Sequence, residues 1–165
     1  MFYLVQNPDP TEAATVRVRY LRASGTPLEK TYVIPPASRE NIWVNVEEFP
    51  AGSGNRLLAS AEMSAVFEVT TGPAIIVERA MYKEVLGQVL GAGHNSAGIT
   101  APASTWFLAE GATGHFFDLF VLVANPGNQA TTVDVTYLLG DGSTIGRAHS
   151  VACSPASARA AAGKL

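Results

Sequence analysis

The chain has 165 residues, 47% of them hydrophobic and 15% charged, with a net charge of −3. The apolar share suffices for a packed core, and the charged share is well below the usual figure of about 25%, which together argue against an intrinsically disordered chain. No basic patch marks nucleic acid as a partner, the single cysteine (Cys153) excludes an internal disulfide, and no apolar run reaches the roughly 18 residues that a membrane-spanning helix needs.

Phe2–Gln6 reads as a short apolar strand, stopped by Asn7-Pro8-Asp9-Pro10, where two prolines close together cannot sit in a central strand. Ala14–Arg22 alternates, with Val16, Val18 and Tyr20 on one side and Arg17, Arg19 and Leu21 on the other. Period 2 with β-branched residues predicts a half-buried strand, with Arg17 and Arg19 on its wet face. Ala23-Ser24-Gly25-Thr26 is a hairpin signal, and Glu29–Ile34 is the return strand, ended by Pro35-Pro36. Asn41–Val46 is the next predicted strand, with Ile42, Val44 and Val46 on one face and Trp43 on the other. Within Leu57–Thr70 most residues read as strand, although Leu58, Ala61, Met63 and Ala65 also fit the start of a helix.

Thr71-Gly72-Pro73 is a turn. Ala74–Tyr82 opens as a continuous apolar run of the kind buried on both faces. Gly87–Ser104 is rich in glycine and shows little periodicity, which predicts a long loop, the sort of segment in which function concentrates. Order is expected to resume at Trp106–Ala109 and continue through Phe116–Ala124, Thr131–Leu139 and Ser143–Val151.

This last stretch repeats the first. Leu4-Val5-Gln6-Asn7-Pro8 returns as Leu122-Val123-Ala124-Asn125-Pro126, and Val16, Val18, Tyr20 and Leu21 return as Val133, Val135, Tyr137 and Leu138. Gly25 returns as Gly142 and Ile34 as Val151. The offset is 117, from Val16 to Val133, once one residue is allowed for in the loop after Asn-Pro. A period of that length is a small domain, not a solenoid unit.

The expected fold is therefore all-β: an immunoglobulin-like antiparallel β-sandwich followed by a partial second copy of the repeat. The expected boundaries are 2–104 for the sandwich, whose own N-terminal strand is missing, 105–151 for the partial copy, and 152–165 for a divergent tail. Trp43 and Trp106 are the candidate core aromatics. Four strands of a second copy leave an apolar face and open edges. They are expected either to complete the first copy or to pair with another chain, as a homodimer or strand swap. Met1 stands directly against mid-module, with no signal peptide before Phe2, so a fragment of a longer protein is expected.

The run Trp106–Gly114, WFLAEGATG, followed by Leu122–Pro126, LVANP, resembles a repeat module of large secreted or surface-attached bacterial proteins. Ile76–Tyr82 and Gly93–Gly98 match two further segments of that module, and the resemblance covers about Phe2–Val151. It implies tandem β-rich modules, located extracellularly or at the cell surface, and carries no established biochemical role. The chain departs from the module by starting in its middle and by diverging after Val151.

Signatures of common catalysis are missing. There is no nucleophile elbow, since Gly93-His94-Asn95-Ser96-Ala97-Gly98 has its serine one place late. There is also no H-E-x-x-H, C-x-x-C, phosphate loop or dinucleotide fingerprint. Cys153 has no activating neighbour and reads as an incidental thiol. The polar groups at strand ends and in the glycine-rich stretch are Glu78, Arg79, His94, Ser96, Glu110, His115 and Asp118. Glu78 and Arg79 interrupt an apolar strand, so one of them must point inward. Pairing of Arg79 with Glu110 is one account, and a carboxylate activated by burial the other. A hydrolytic centre would draw on Ser96, His94 or His115, and Asp118. A zinc site would draw on His94, His115 and one of Glu110 or Asp118.

The leading expectation is a non-catalytic structural or adhesive module with no cofactor. Its alternative is a small hydrolase of ester or glycoside bonds, with a site around His94, Glu110 and His115. Carbohydrate binding by exposed aromatics such as Tyr3, Phe116 and Phe117 is a third reading. Neither nucleic acid nor membrane is an expected partner.

Overall fold

A computed structural model describes residues 1–152 except 24, 86, 110 and 116–118. Among the described residues nine strands run in chain order: β1 (Phe2–Asn7), β2 (Ala14–Arg22), β3 (Leu28–Ile34), β4 (Ser38–Trp43), β5 (Met63–Thr71), β6 (Ile76–Val85), β7 (Gln88–Ala97), β8 (Thr131–Leu138) and β9 (Thr144–Val151). A single 3-10 turn at Val44–Val46 is the only helical element among the described residues. The strands make a four-stranded sheet in the order β4-β1-β6-β7, a three-stranded sheet β3-β2-β5, and the hairpin β8-β9. The protein is thus an all-β structure of antiparallel sheets.

By its contacts the chain divides into two compact units. One is Met1–Arg19, Glu29–Ala61 and Phe67–Thr105, and the other is Tyr20–Leu28, Glu62–Val66 and Trp106–Leu165.

In the first unit the two larger sheets lie face to face. Tyr3 of β1 meets Phe67 of β5 edge-on, with ring centroids 4.9 Å apart. Alternation decides which residues fill the space between them. Tyr3 and Val5 of β1, Val16 and Val18 of β2, and Ile42 of β4 are buried, with Val44 and Ile34 beside them. Each fully buried Val or Ile contributes about 1.5–3 kcal/mol relative to leaving it in water. The intervening residues of β1, Phe2 and Leu4, look the other way. Trp43, between Ile42 and Val44, is 49% exposed, and Trp106 is 54% exposed. Neither tryptophan belongs to the core that the sequence assigned it. For Trp43 the reason is parity, because its aliphatic neighbours take the inward positions.

The prolines after β1 are accommodated by Asn7. Its buried amide donates to the carbonyls of Glu12 and Ile34, at 2.8 and 3.2 Å, and its Oδ1 accepts from the Asp9 amide at 3.0 Å. The counterpart loop is built the same way. Asn125 donates to the Gln129 carbonyl at 2.7 Å and accepts from the Gly127 amide at 3.0 Å. Glu12 and Gln129 are themselves related by the repeat offset of 117. Gly25 and Gly142, at the tips of the β2-β3 and β8-β9 hairpins, share a φ of 83°. That conformation strains any residue with a Cβ.

Several predicted boundaries move. The glycine-rich stretch is not a loop up to Ala97. It forms β7, paired with β6 from Glu78↔Ala97 to Lys83↔Ala92. Glycine is tolerated here because Gly93 lies under the Tyr82 ring, where a Cβ would come within 3.2 Å of the ring and of the Met81 carbonyl. Val44–Val46 leaves the predicted strand for the 3-10 turn. Leu57–Ser60 is turn, so β5 begins only at Met63. Trp106–Ala109 and 119–124 are not strand. Residues 116–118 and the tail from Cys153 onward lie outside the described residues.

Candidate functional site

The sequence candidates fall on different surfaces. In β6, Arg79 stands opposite Tyr3 of β1, so it shares the inward face, while Glu78 stands opposite Leu4 and is exposed on the outer face. Arg79 is therefore the inward member of the Glu78-Arg79 pair. Its Nε is buried without a hydrogen-bond partner among the described residues. The cation stands near the Tyr3 hydroxyl, which burial pushes up to about 12 against the opposing pull of Arg79. The suggested partner of Arg79, Glu110, lies outside the described residues, as does Asp118.

His94 and Ser96 are two residues apart in β7 and pair with Met81 and Arg79, so both sit on the side of the sheet opposite Glu78. His94 is exposed and Ser96 half-buried. His115 is exposed and belongs to the second unit. Among the described residues no three His, Cys, Asp or Glu side chains gather closely enough to hold a metal ion. The geometry thus brings together His94 with Ser96, and separates both from Glu78.

The outer face of the four-stranded sheet carries a different arrangement. A groove of about 410 Å³ is lined by Phe2, Leu4, Arg39, Asn41, Ala80 and Tyr82. The strand register explains the grouping, because Phe2 lies between Trp43 and Ala80, and Leu4 between Asn41 and Glu78. Trp43 stacks on Phe2 with centroids 5.6 Å apart and planes 25° apart, and Tyr82 meets Phe2 edge-on at 6.1 Å. Trp43 and Tyr82 are each about half exposed, at 49% and 52%. Three aromatic rings therefore run across strands β4, β1 and β6 on a solvent-facing surface, with the Arg39 and Asn41 side chains beside them.

Sequence reasoning looked for exposed aromatics and named Tyr3, but Tyr3 is buried, 7% exposed. On the outer face of this sheet the rings are those of exposed Trp43 and Tyr82, with half-buried Phe2 between them. The usable signal was the opposite parity of Trp43 to Ile42. The pairing of β1 between β4 and β6, which assembles the three rings, is not local information. Phe116 and Phe117 lie outside the described residues.

Comparison with known proteins finds no matching family model, no matching curated protein and no matching solved structure. No helix among the described residues is long and apolar enough to cross a membrane.

Proposed function

We propose that this chain is a non-catalytic structural or adhesive module of a bacterial surface protein, with an immunoglobulin-like sandwich as its scaffold. The observation that carries the fold part is the interlocked pairing. β1 pairs with β4 in one sheet, while β2, which follows β1, pairs with β5 in the other. In immunoglobulin sandwiches strands B and E are neighbours in one sheet and C and F in the other, and these four strands interlock in the same way, whereas β6 and β7 return to the β1 sheet where strand G of that fold would join C and F. The shared construction of the Asn7 and Asn125 loops supports tandem modules. The adhesive part is supported by the aromatic groove, a kind of surface that a lone scaffold has no need to leave in water.

The hydrolase alternative requires an acid, base or nucleophile to converge on one point. His94 and Ser96 share one face of the sheet and Glu78 occupies the other. The direct test is a panel of chromogenic esters and glycosides assayed with wild type and with His94→Ala, each checked for folding by circular dichroism. The proposal expects no turnover by either. Turnover by wild type that is lost in folded His94→Ala overturns it in favour of the hydrolase.

A further inference from the structure

We propose that the outer face of the four-stranded sheet is a glycan-binding site, and that its ligand is a pyranose chain bearing carboxylates. The inference rests on the adhesive reading above and names the ligand class. The face presents aromatic rings in a row, at centroid spacings of 5.6 and 6.1 Å. A pyranose ring has an apolar face of axial C–H groups, and an aromatic face is its natural partner. Its equatorial hydroxyls then point sideways, where planar side chains can hold them. Asn41 supplies two N–H donors and a carbonyl acceptor at the groove wall, and Arg39 supplies a five-donor fork.

Charge selects among glycans. Arg39 is exposed and makes no ion pair among the described residues, and no carboxylate lines the groove. A guanidinium with its fork open matches a carboxylate bidentately. Glu78 projects from the same face, next to Leu4, but stands outside the lining. It weakens an anionic ligand and does not take part in binding. A protein partner fits less well, because the apolar row of Phe2, Leu4 and Ala80 between Trp43 and Tyr82 is short and is bounded by polar Asn41, Glu78 and Gln6.

The test is affinity electrophoresis of the whole chain through gels containing polygalacturonate or a neutral glucan, with released reducing ends measured in parallel solutions. Wild type is expected to be retarded by polygalacturonate and much less by glucan, with retardation falling as salt rises. Trp43→Ala and Tyr82→Ala should each weaken binding at least about tenfold, the loss typical of a central aromatic contact. Arg39→Gln, a surface change that leaves the core untouched, should abolish the preference for the uronate. Glu78→Gln should strengthen binding about twofold through loss of repulsion, and Trp106→Ala should leave it unchanged. Circular dichroism and melting confirm that each variant is folded.

No retardation of folded wild type by either polymer overturns the inference while leaving the module reading intact. Equal binding of glucan overturns the role of Arg39 and with it the carboxylate. Dissociation of a wild-type oligomer by Trp43→Ala, seen by sedimentation, makes the face a protein interface and overturns the site. Release of reducing ends that is lost in folded His94→Ala leaves this binding site standing but sinks the non-catalytic reading.

Discussion

Asn7 is the one buried polar residue among the described residues. It is fully buried, and its amide satisfies two backbone carbonyls that no strand can reach because Pro8 and Pro10 break the ladder. Leaving buried carbonyls unpaired costs about 1–3 kcal/mol. Asn7→Ala should therefore lower the unfolding free energy by about 2–4 kcal/mol, once the cavity is included. Its counterpart Asn125→Ala, in an exposed loop, should cost about 1 kcal/mol or less. Urea titration of the two variants measures the difference, and equal losses would refute the distinction. Tyr3 gives a second prediction, in pH. Its folded-state hydroxyl titrates at about 12 because of burial, above the roughly 10 of an unfolded tyrosine. A pKa raised on folding means stability that is complete below the unfolded value and lost as pH rises through the folded one, so the window is about pH 10 to 12. Tyr3→Phe should flatten the fall of stability across that window, as followed by thermal melts at stepped pH. Asp9 works in the opposite direction. The amides of Thr11 and Glu12 hold its carboxyl below the usual range, so its contribution is present above the ordinary carboxylate pKa and is lost as pH falls. Arg17 and Glu68 form a solvent-exposed pair, 2.6 Å apart, and a change there should scarcely register.

At the scale of elements, the turn between β5 and β6 depends on one glycine. Gly72 has a φ of +95°, and a Cβ there would stand 2.2 Å from the Ala13 carbonyl oxygen. Because that obstacle is backbone, it cannot rotate away. Gly72→Ala should destabilise the chain by about 2 kcal/mol or more, whereas Gly52→Ala, also at positive φ but with open space, should cost about 1 kcal/mol. Chemical denaturation of both variants separates the steric part from the conformational part. The strands that were legible in the sequence are those whose alternation is strict, as in Val16, Val18 and Tyr20, or Val133, Val135 and Tyr137. β7 was not legible, because its ordering comes from hydrogen bonding along β6 and not from its own side chains, of which Gly93 has none. Trp106–Ala109 failed in the reverse sense. Its apolar residues look like strand material, yet Phe107 is 93% exposed and the segment has no ladder. The groove was the least legible feature. Phe2, Trp43 and Tyr82 lie far apart in sequence, and only the registers of β1 against β4 and β6 bring them together.

For the whole molecule, the two copies of the repeat differ in the number of partners each strand has. β1 is flanked on both edges, by β4 and β6, and β2 by β3 and β5, while among the described residues β8 and β9 pair only with each other. The equivalent side chains follow suit. Val16, Val18 and Tyr20 are buried, but Val133, Val135 and Tyr137 are only half-buried, and Leu138 is 81% exposed where Leu21 is 1% exposed. A two-stranded hairpin is marginal by itself, whereas a strand inside a four-stranded sheet opens only with its neighbours. Amide hydrogen exchange should therefore divide the chain in spite of its sequence repetition. The amides of β1 and β2 that bond within the sheets should exchange at a rate set by global unfolding. Those of β8 and β9 should exchange at least about a hundredfold faster, a difference of about 3 kcal/mol in opening free energy. The comparison is internal, since Val16 and Val133, or Tyr20 and Tyr137, are matched by the repeat. Equal protection of the matched pairs would mean that the second copy is held by partners beyond its own hairpin, and a mixture of labelled and unlabelled chains would then show whether those partners come from another molecule. Faster exchange in β8 and β9 alone would mark the second copy as a module whose packing is incomplete within the hairpin itself.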